Sequence, residues 1–194
     1  MEEQLVKNMK QEVLSDKKYL LKNVNFEYHT NNGDWEKKQI EIYDAGNSVT
    51  ALLYNEDADT VILTKQFRMA SYLNENAAGV LIESCAGKLE KEEEPEEAIV
   101  REVKEETGYE ITEIKKVFEA YTSPGAYTEK INCFIAGYKP EQQKTEGGGK
   151  EEEQEHVEVL ELAFDKAYNM IQTGEIRDAK TIMLLQFIKL QQLA

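Results

Sequence analysis

Histidine and cysteine are scarce in this 194-residue sequence: His29 and His156, with Cys85 and Cys133, are the whole supply. A histidine-rich zinc centre and an HExxH protease are thereby excluded. A Ser-His-Asp triad would have to use one of the two histidines, and no GxSxG turn accompanies either. The cysteines form no CxxC pair and no disulfide framework, which fits a reducing cytoplasm. Positive charge is also short. Lys plus Arg number 23 against 38 Asp plus Glu, a formal charge of −15. That balance argues against binding nucleic acid or an anionic membrane, since both require basic surface. No apolar run approaches the roughly 18–20 residues of a membrane span. The opening MEEQLVKNMK lacks the basic-then-apolar pattern of a secretory signal.

What remains is apolar material for a core and a surplus of carboxylate. Hydrophobic residues make up 41% of the chain and aromatics 9%, so it can bury one domain with a short appended sheet. Hard cations held by oxygen ligands are the first chemistry to look for.

The chain shows no internal repeat. Residues 1–18 read as a polar leader with a short helix. From Lys22 apolar and polar residues alternate through Tyr28, the period of a half-buried strand. Asn31-Asn32-Gly33-Asp34 signals a hairpin, with Ile40 and Ile42 on the return strand. Further strands are predicted at Val49–Tyr54, Thr60–Phe67, Val80–Glu83, Ile111–Tyr121, Thr128–Tyr138 and Val157–Leu162. A helix opens at Pro95 and stops at Gly108, and two more run over Asp165–Thr173 and from an Asp178 cap to Gln192. Residues 139–155, with Gly147-Gly148-Gly149 and three successive glutamates, read as a solvated flexible loop. Lys150 is followed by Glu151, so the GGGK stretch is not a phosphate-binding P-loop. Strands with helices between and after them predict an α/β fold, an α/β/α sandwich on a mixed sheet at 46–194. A small N-terminal antiparallel sheet at 1–45 would precede it. The edges of that small sheet need covering, and dimerisation would do so.

The informative segment is GKLEKEEEPEEAIVREVKEETGY, Gly87 to Tyr109. At about 100° per helical residue, Glu102 and Glu106 share a face with Glu105 beside them, while Ile99, Val103 and Thr107 form the docking stripe. A run of acids is usually a solvated face, and Glu90–Glu97 alone would read so. Stacked carboxylates next to a buried stripe instead require a compensating cation. Arg101 is spaced to pair with Glu105, leaving Glu102 and Glu106 for a divalent ion, Mg²⁺ or Mn²⁺.

The segment resembles the box of the Nudix hydrolases, G-x5-E-x7-R-E-U-x-E-E-x-G-U, where U is a bulky hydrophobic residue. Gly87, Glu93, Arg101, Glu102, Val103, Glu105, Glu106 and Gly108 all fall in place, with Tyr109 at the usually aliphatic last position. The proline of Ser123-Pro124-Gly125, 15 residues beyond Tyr109, resembles the ADP-ribose and nucleotide-sugar pyrophosphatase branch. IYDAGN, KQFR, LIESCAGKLE, YTSPGAYTE and GEIRDAKT extend the similarity, over nearly the whole chain, to bacterial GDP-mannose pyrophosphatases.

The resemblance implies Mg²⁺-dependent hydrolysis of a nucleotide sugar, GDP-mannose first and ADP-ribose as the alternative. A non-catalytic sensor of nucleotide sugars is the reading from another class. It implies metal ligands at Glu102, Glu106, the Ala86 carbonyl and an acid of the GGG loop, Glu155 or else Glu152 or Glu153. The general base would be that loop glutamate or Glu105. Substrate contacts are implied at Arg68, Ala86, Gly87, Lys88, Glu129 and Lys180. Tyr19, Gln39, Ile40 and Glu41 would reach the base and sugar across a homodimer. Structural roles compete at several of these: strand packing for Tyr19, a turn cap for Glu129, plain surface charge for Arg68 and Lys180.

Overall fold

The structure, a computed structural model, describes residues 4–150 and 156–192. The chain divides into two units, one reaching to Asn47 together with Tyr121–Lys130, the other spanning Ser48–Ala120 and Ile131 onward.

The first unit is an antiparallel sheet of β1 (Val6–Ser15), β2 (Leu20–His29) and β3 (Trp35–Asp44), with β2 in the middle. The predicted hairpin turn is closed by the Thr30 N–H donating to the Asp34 carbonyl and the Gly33 N–H to that of Thr30, both at 2.9 Å. The leader corrects the helical expectation: β1 occupies it. Its alternation is hidden because the register shifts between Lys7 and Lys10, where Asn8 adopts a φ of 53°, and again before Ser15. A bulge breaks the period of two that would betray a strand. The Tyr121–Lys130 turn joins the end of β3, the Tyr43 N–H donating to the Ala126 carbonyl at 2.8 Å.

The second unit is built on a seven-stranded mixed sheet: β4 (Ser48–Asn55), β5 (Thr60–Phe67), β6 (Val80–Glu83), β7 (Cys85–Lys88), β8 (Ile114–Tyr121), β9 (Lys130–Gly137) and β10 (Glu158–Ala163). β4 runs parallel to β9 and antiparallel to β5 and β7. Its helices are α1 (Met69–Leu73), α2 (Pro95–Thr107), α3 (Phe164–Thr173) and α4 (Ala179–Gln192). Alternate residues of β4 sort to the two faces. Val49, Ala51 and Leu53 pack with Ala98, Ile99 and Val103 of α2. Leu52 joins Phe164 and Ala167 of α3 and Leu184, Leu185 and Ile188 of α4. Covering both faces makes the α/β/α sandwich and explains why β4 and β5 read as nearly unbroken apolar runs. Among the described residues no helix is long and apolar enough to cross a membrane.

The sheet forks. β4 pairs β5 only over Leu53–Asn55; its first half pairs β7, while the second half of β5 pairs β6. Ser84, between β6 and β7, sits in the crotch and is 1% exposed. Its polar atoms are satisfied from both sides: its hydroxyl bonds that of Thr50 at 2.8 Å, and its N–H donates to the Thr181 hydroxyl oxygen of α4 at 2.6 Å. A buried donor left alone at such a fork would cost about 1–3 kcal/mol. The fork sets β7 against the start of β4, placing Gly87 opposite Val49 and beside α2.

Candidate metal and substrate site

Helix α2 begins at Pro95, whose missing N–H costs nothing in a first turn, and ends at Gly108 in the left-handed region at φ +76°. A Cβ on Gly108 would lie 2.0 Å from the Thr145 carbonyl oxygen, so that position is closed to other residues on two counts. Beyond it the expectation of a flexible glycine loop is corrected. The Gly148 N–H donates to the Glu106 carbonyl at 2.9 Å and the Gly149 N–H to the Glu105 carbonyl at 3.2 Å. Residues without side chains can bring their amides close to the last turn and satisfy carbonyls that the helix leaves open. The Val157 N–H returns to the Gly148 carbonyl at 3.1 Å, so the chain beyond Gly148 comes back to it. Lys150 pairs with Glu105 at 3.1 Å.

Arg101 is the hub of the acidic face. Its Nε and one Nη grip Glu93 at 2.9 and 3.0 Å, and the same Nη donates to the Lys88 carbonyl at 3.3 Å. Its other Nη reaches Glu102 at 2.8 Å and Glu105 at 3.2 Å. The expected Arg101–Glu105 pair therefore forms, but Glu102 is not left free as expected. Glu93 takes one edge of the guanidinium bidentately, which aims the remaining nitrogen at the helix where both carboxylates lie. The Arg101 hydrogen bonds hold the Glu93 carboxyl down at about 2, from 4.5. Because the folded value lies below the unfolded one, this pairing supports the fold fully above about pH 4.5 and fades as pH falls towards 2. The stability gap between the wild type and Glu93→Gln in denaturant titrations should stay constant above pH 5 and close as pH falls towards 2. A gap independent of pH would contradict the assignment.

Glu102 and Glu106 face β7. A Cβ built on Gly87 would fall 1.9 Å from the Glu102 carboxylate, so the box glycine is the space that this carboxylate occupies. Burial raises the Glu102 carboxyl above its ordinary value, against the opposing pull of Arg101. Glu106 is 4% exposed and accepts the Ala86 N–H at 3.2 Å. Cys85 lies against it: burial first, then the Glu106 charge, pushes the Cys85 thiol well above the usual range. Two carboxylates beside the Ala86 backbone are oxygen donors of the kind a hard divalent ion takes. Among the described residues no group of three or more acidic, His or Cys side chains is gathered for a metal. Glu155, with its alternatives Glu152 and Glu153, lies outside the described residues. Tyr109 occupies the last box position as a buried ring, edge-on to Tyr138 at 5.2 Å.

Arg68 and Lys180, predicted separately, meet on one carboxylate. The Arg68 Nε donates to Glu83 at 2.8 Å and the Lys180 Nζ to its other oxygen at 2.7 Å. Glu83 reads in the sequence only as a strand end within LIESCAGKLE, with no role of its own, since a lone acid at a strand end has no periodicity. In the first unit Tyr19 packs edge-on against Tyr43 at 5.6 Å, and Tyr43 lies against Tyr127 at 4.8 Å. Gln39, Ile40 and Glu41 lie exposed on the edge strand β3. Glu129 accepts the Thr122 hydroxyl at 2.9 Å across the turn. An open cleft of about 1040 Å³ lies at the far end of β4, lined by Tyr54, Tyr138 and Gln192 among others. It contains none of the box residues.

A NUDIX domain model matches residues 45–185. A model of the GDP-mannose pyrophosphatase NudK N-terminal domain matches residues 5–43. The GDP-mannose pyrophosphatase of Citrobacter koseri is 48% identical over 180 residues, 93% of either chain. The protein of the same name from Escherichia coli K12 is 47% identical over 185 residues, 95% of either chain. That from Escherichia coli O1:K1 is 46% identical over the same length.

Proposed function

Because the chain belongs to the Nudix family of hydrolases, we propose that it hydrolyses the diphosphate of a nucleotide sugar, GDP-mannose, to GMP and mannose 1-phosphate. The observation that carries the substrate is similarity along 93% of the chain to a protein named for that reaction, the N-terminal sheet included. Nudix hydrolases work with divalent metal ions, here assigned as Mg²⁺ with Mn²⁺ able to replace it.

Glu102, Glu106 and the Ala86 carbonyl would hold the ion, with Glu155 as the remaining ligand. When bound, it supplies neutralisation of the diphosphate charge and acidification of a water. The protein's own groups do the rest. Arg101 fixes Glu102 and Glu105 in place. Glu105 is already engaged by Arg101 and Lys150, which leaves acceptance of the water proton to Glu155. Arg68, Gly87, Lys88, Glu129 and Lys180 are assigned to binding the nucleotide sugar. Attack by water on one phosphorus, in line with the bridging oxygen, breaks the P–O–P link and releases the two monophosphates.

A panel of GDP-mannose, GDP-glucose, ADP-ribose and ADP-glucose with product identification tests this. GDP-mannose should lead by at least about tenfold in kcat/KM. A lead for ADP-ribose would overturn the substrate, and no turnover on any of them would favour a nucleotide-sugar sensor.

The first unit is assigned to homodimerisation, with Tyr19, Gln39, Ile40 and Glu41 serving the base and sugar bound by a second copy. Exposed Leu5, Met9, Val13 and Leu14 support this, since such side chains on an open sheet need covering. Light scattering should return twice the chain mass; a monomer would refute it. The free, buried cysteines Cys85 and Cys133 suit a cytoplasmic protein.

A further inference from the structure

Glu83, the last residue of β6, is 4% exposed, yet each of its oxygens holds a cation. Oε2 accepts the Arg68 Nε–H at 2.8 Å and Oε1 accepts Lys180 at 2.7 Å. Lys180 also pairs with Asp178 at 3.0 Å. The other Asp178 oxygen takes the Thr181 hydroxyl at 2.6 Å and the Thr181 N–H at 3.0 Å. The Thr181 oxygen in turn accepts the Ser84 N–H in the crotch of the sheet. The start of α4, the end of β5 and the fork are therefore tied through one carboxylate. Burial works against charge on Lys180, but Glu83 and Asp178 outweigh it and raise its pKa above the ordinary lysine value.

The arrangement leaves donors to spare. Arg68 commits its Nε, so Nη1 and Nη2 stay outside that bond, and its side chain is 40% exposed. Lys180 commits two of its three N–H donors. Two nitrogens bonded to the two oxygens of one carboxylate lie no more than about 8 Å apart, within reach of a single diphosphate. We infer that Glu83 is a positioning residue, which through Arg68 and Lys180 sets two positive donors side by side for the phosphate groups of the substrate. The inference rests on the assignment of those two cations to substrate binding.

Steady-state kinetics on Glu83→Gln, Arg68→Ala, Lys180→Ala and the combined triple variant test it, with folding checked by circular dichroism. Each alanine variant should raise KM about tenfold. Glu83→Gln should raise KM at least about fivefold, with kcat and the metal concentration for half-activation nearly unchanged. Added to the double alanine background, Glu83→Gln should raise KM no further. An unchanged KM in Glu83→Gln while the alanine variants raise it overturns the inference alone. So does an equal rise on the double alanine background. An unchanged KM in both alanine variants overturns their placement in the substrate site, and the inference with it. Should Glu83→Gln fail to fold, NMR of the wild type decides. Arg68, Arg101 and Arg177 are the only arginines, so three Nε–H signals suffice. That of Arg68 should remain slowly exchanging when GMP and Mg²⁺ are added; rapid exchange overturns the inference.

Discussion

Glu106→Gln should lose about a thousandfold in kcat while unfolding at the same temperature as the wild type or higher when no metal is added. The two halves of the expectation share one cause. Glu106 is 4% exposed with Cys85 packed against it, a setting in which any unpaired charge is costly. A glutamine of the same shape retains an oxygen for the Ala86 N–H and removes the charge that burial opposes. The fold therefore keeps this bond, whereas a cation loses a ligand whose charge a neutral amide cannot replace. Turnover and thermal melts, each with and without Mg²⁺, check it. Full activity at saturating Mg²⁺ would remove Glu106 from the metal site. A melt lowered by many degrees would mean that its role is to hold β7 against α2.

Gly108→Ala should destabilise the protein by about 2–4 kcal/mol, lowering its melting temperature by roughly 5–12 °C. A left-handed backbone alone costs an alanine about 1–2 kcal/mol. The new Cβ would also stand 2.0 Å from the Thr145 carbonyl oxygen, which is backbone and cannot rotate aside. Relief requires moving the strand of loop whose Lys144 N–H bonds the Gly108 carbonyl at 2.8 Å. The Gly148 and Gly149 bonds to the end of α2 would move with it, so activity should fall together with stability. A melt within about 1 °C of the wild type would show that the loop gives way without cost.

The parts of the fold that were legible in the sequence carry their signals locally. Pro95 and Gly108 bracket α2, and Ile99 and Val103 recur at helical spacing, so both the helix and its buried face could be read before any tertiary contact was known. The box was legible because its seven fixed residues keep their spacing within one loop and one helix. β1 was not, because its bulge at Asn8 destroys the alternation that defines a strand. β7 is four residues long and contains Gly87; it exists because β4 offers it a partner. The glycine loop was misread because composition reports freedom of the backbone, whereas its amides are spent on α2. The role of Glu83 was invisible for a further reason. Its partners lie 15 and 97 residues away, and only the fork of the sheet brings them to one carboxylate.

The return of Val157 to Gly148 also determines where this chain can change length. The Val157 N–H bonds the Gly148 carbonyl, so whatever length of chain lies between those two residues is closed at that bond. Doubling such a segment adds only about 0.6 kcal/mol of closure entropy. Insertions and deletions there should be tolerated by the fold while shifting the acidic residues that the segment carries. The chain thus separates the part that must keep its register, Gly87 to Gly108, from a neighbour whose length can change while the acid assigned to the ion is retained.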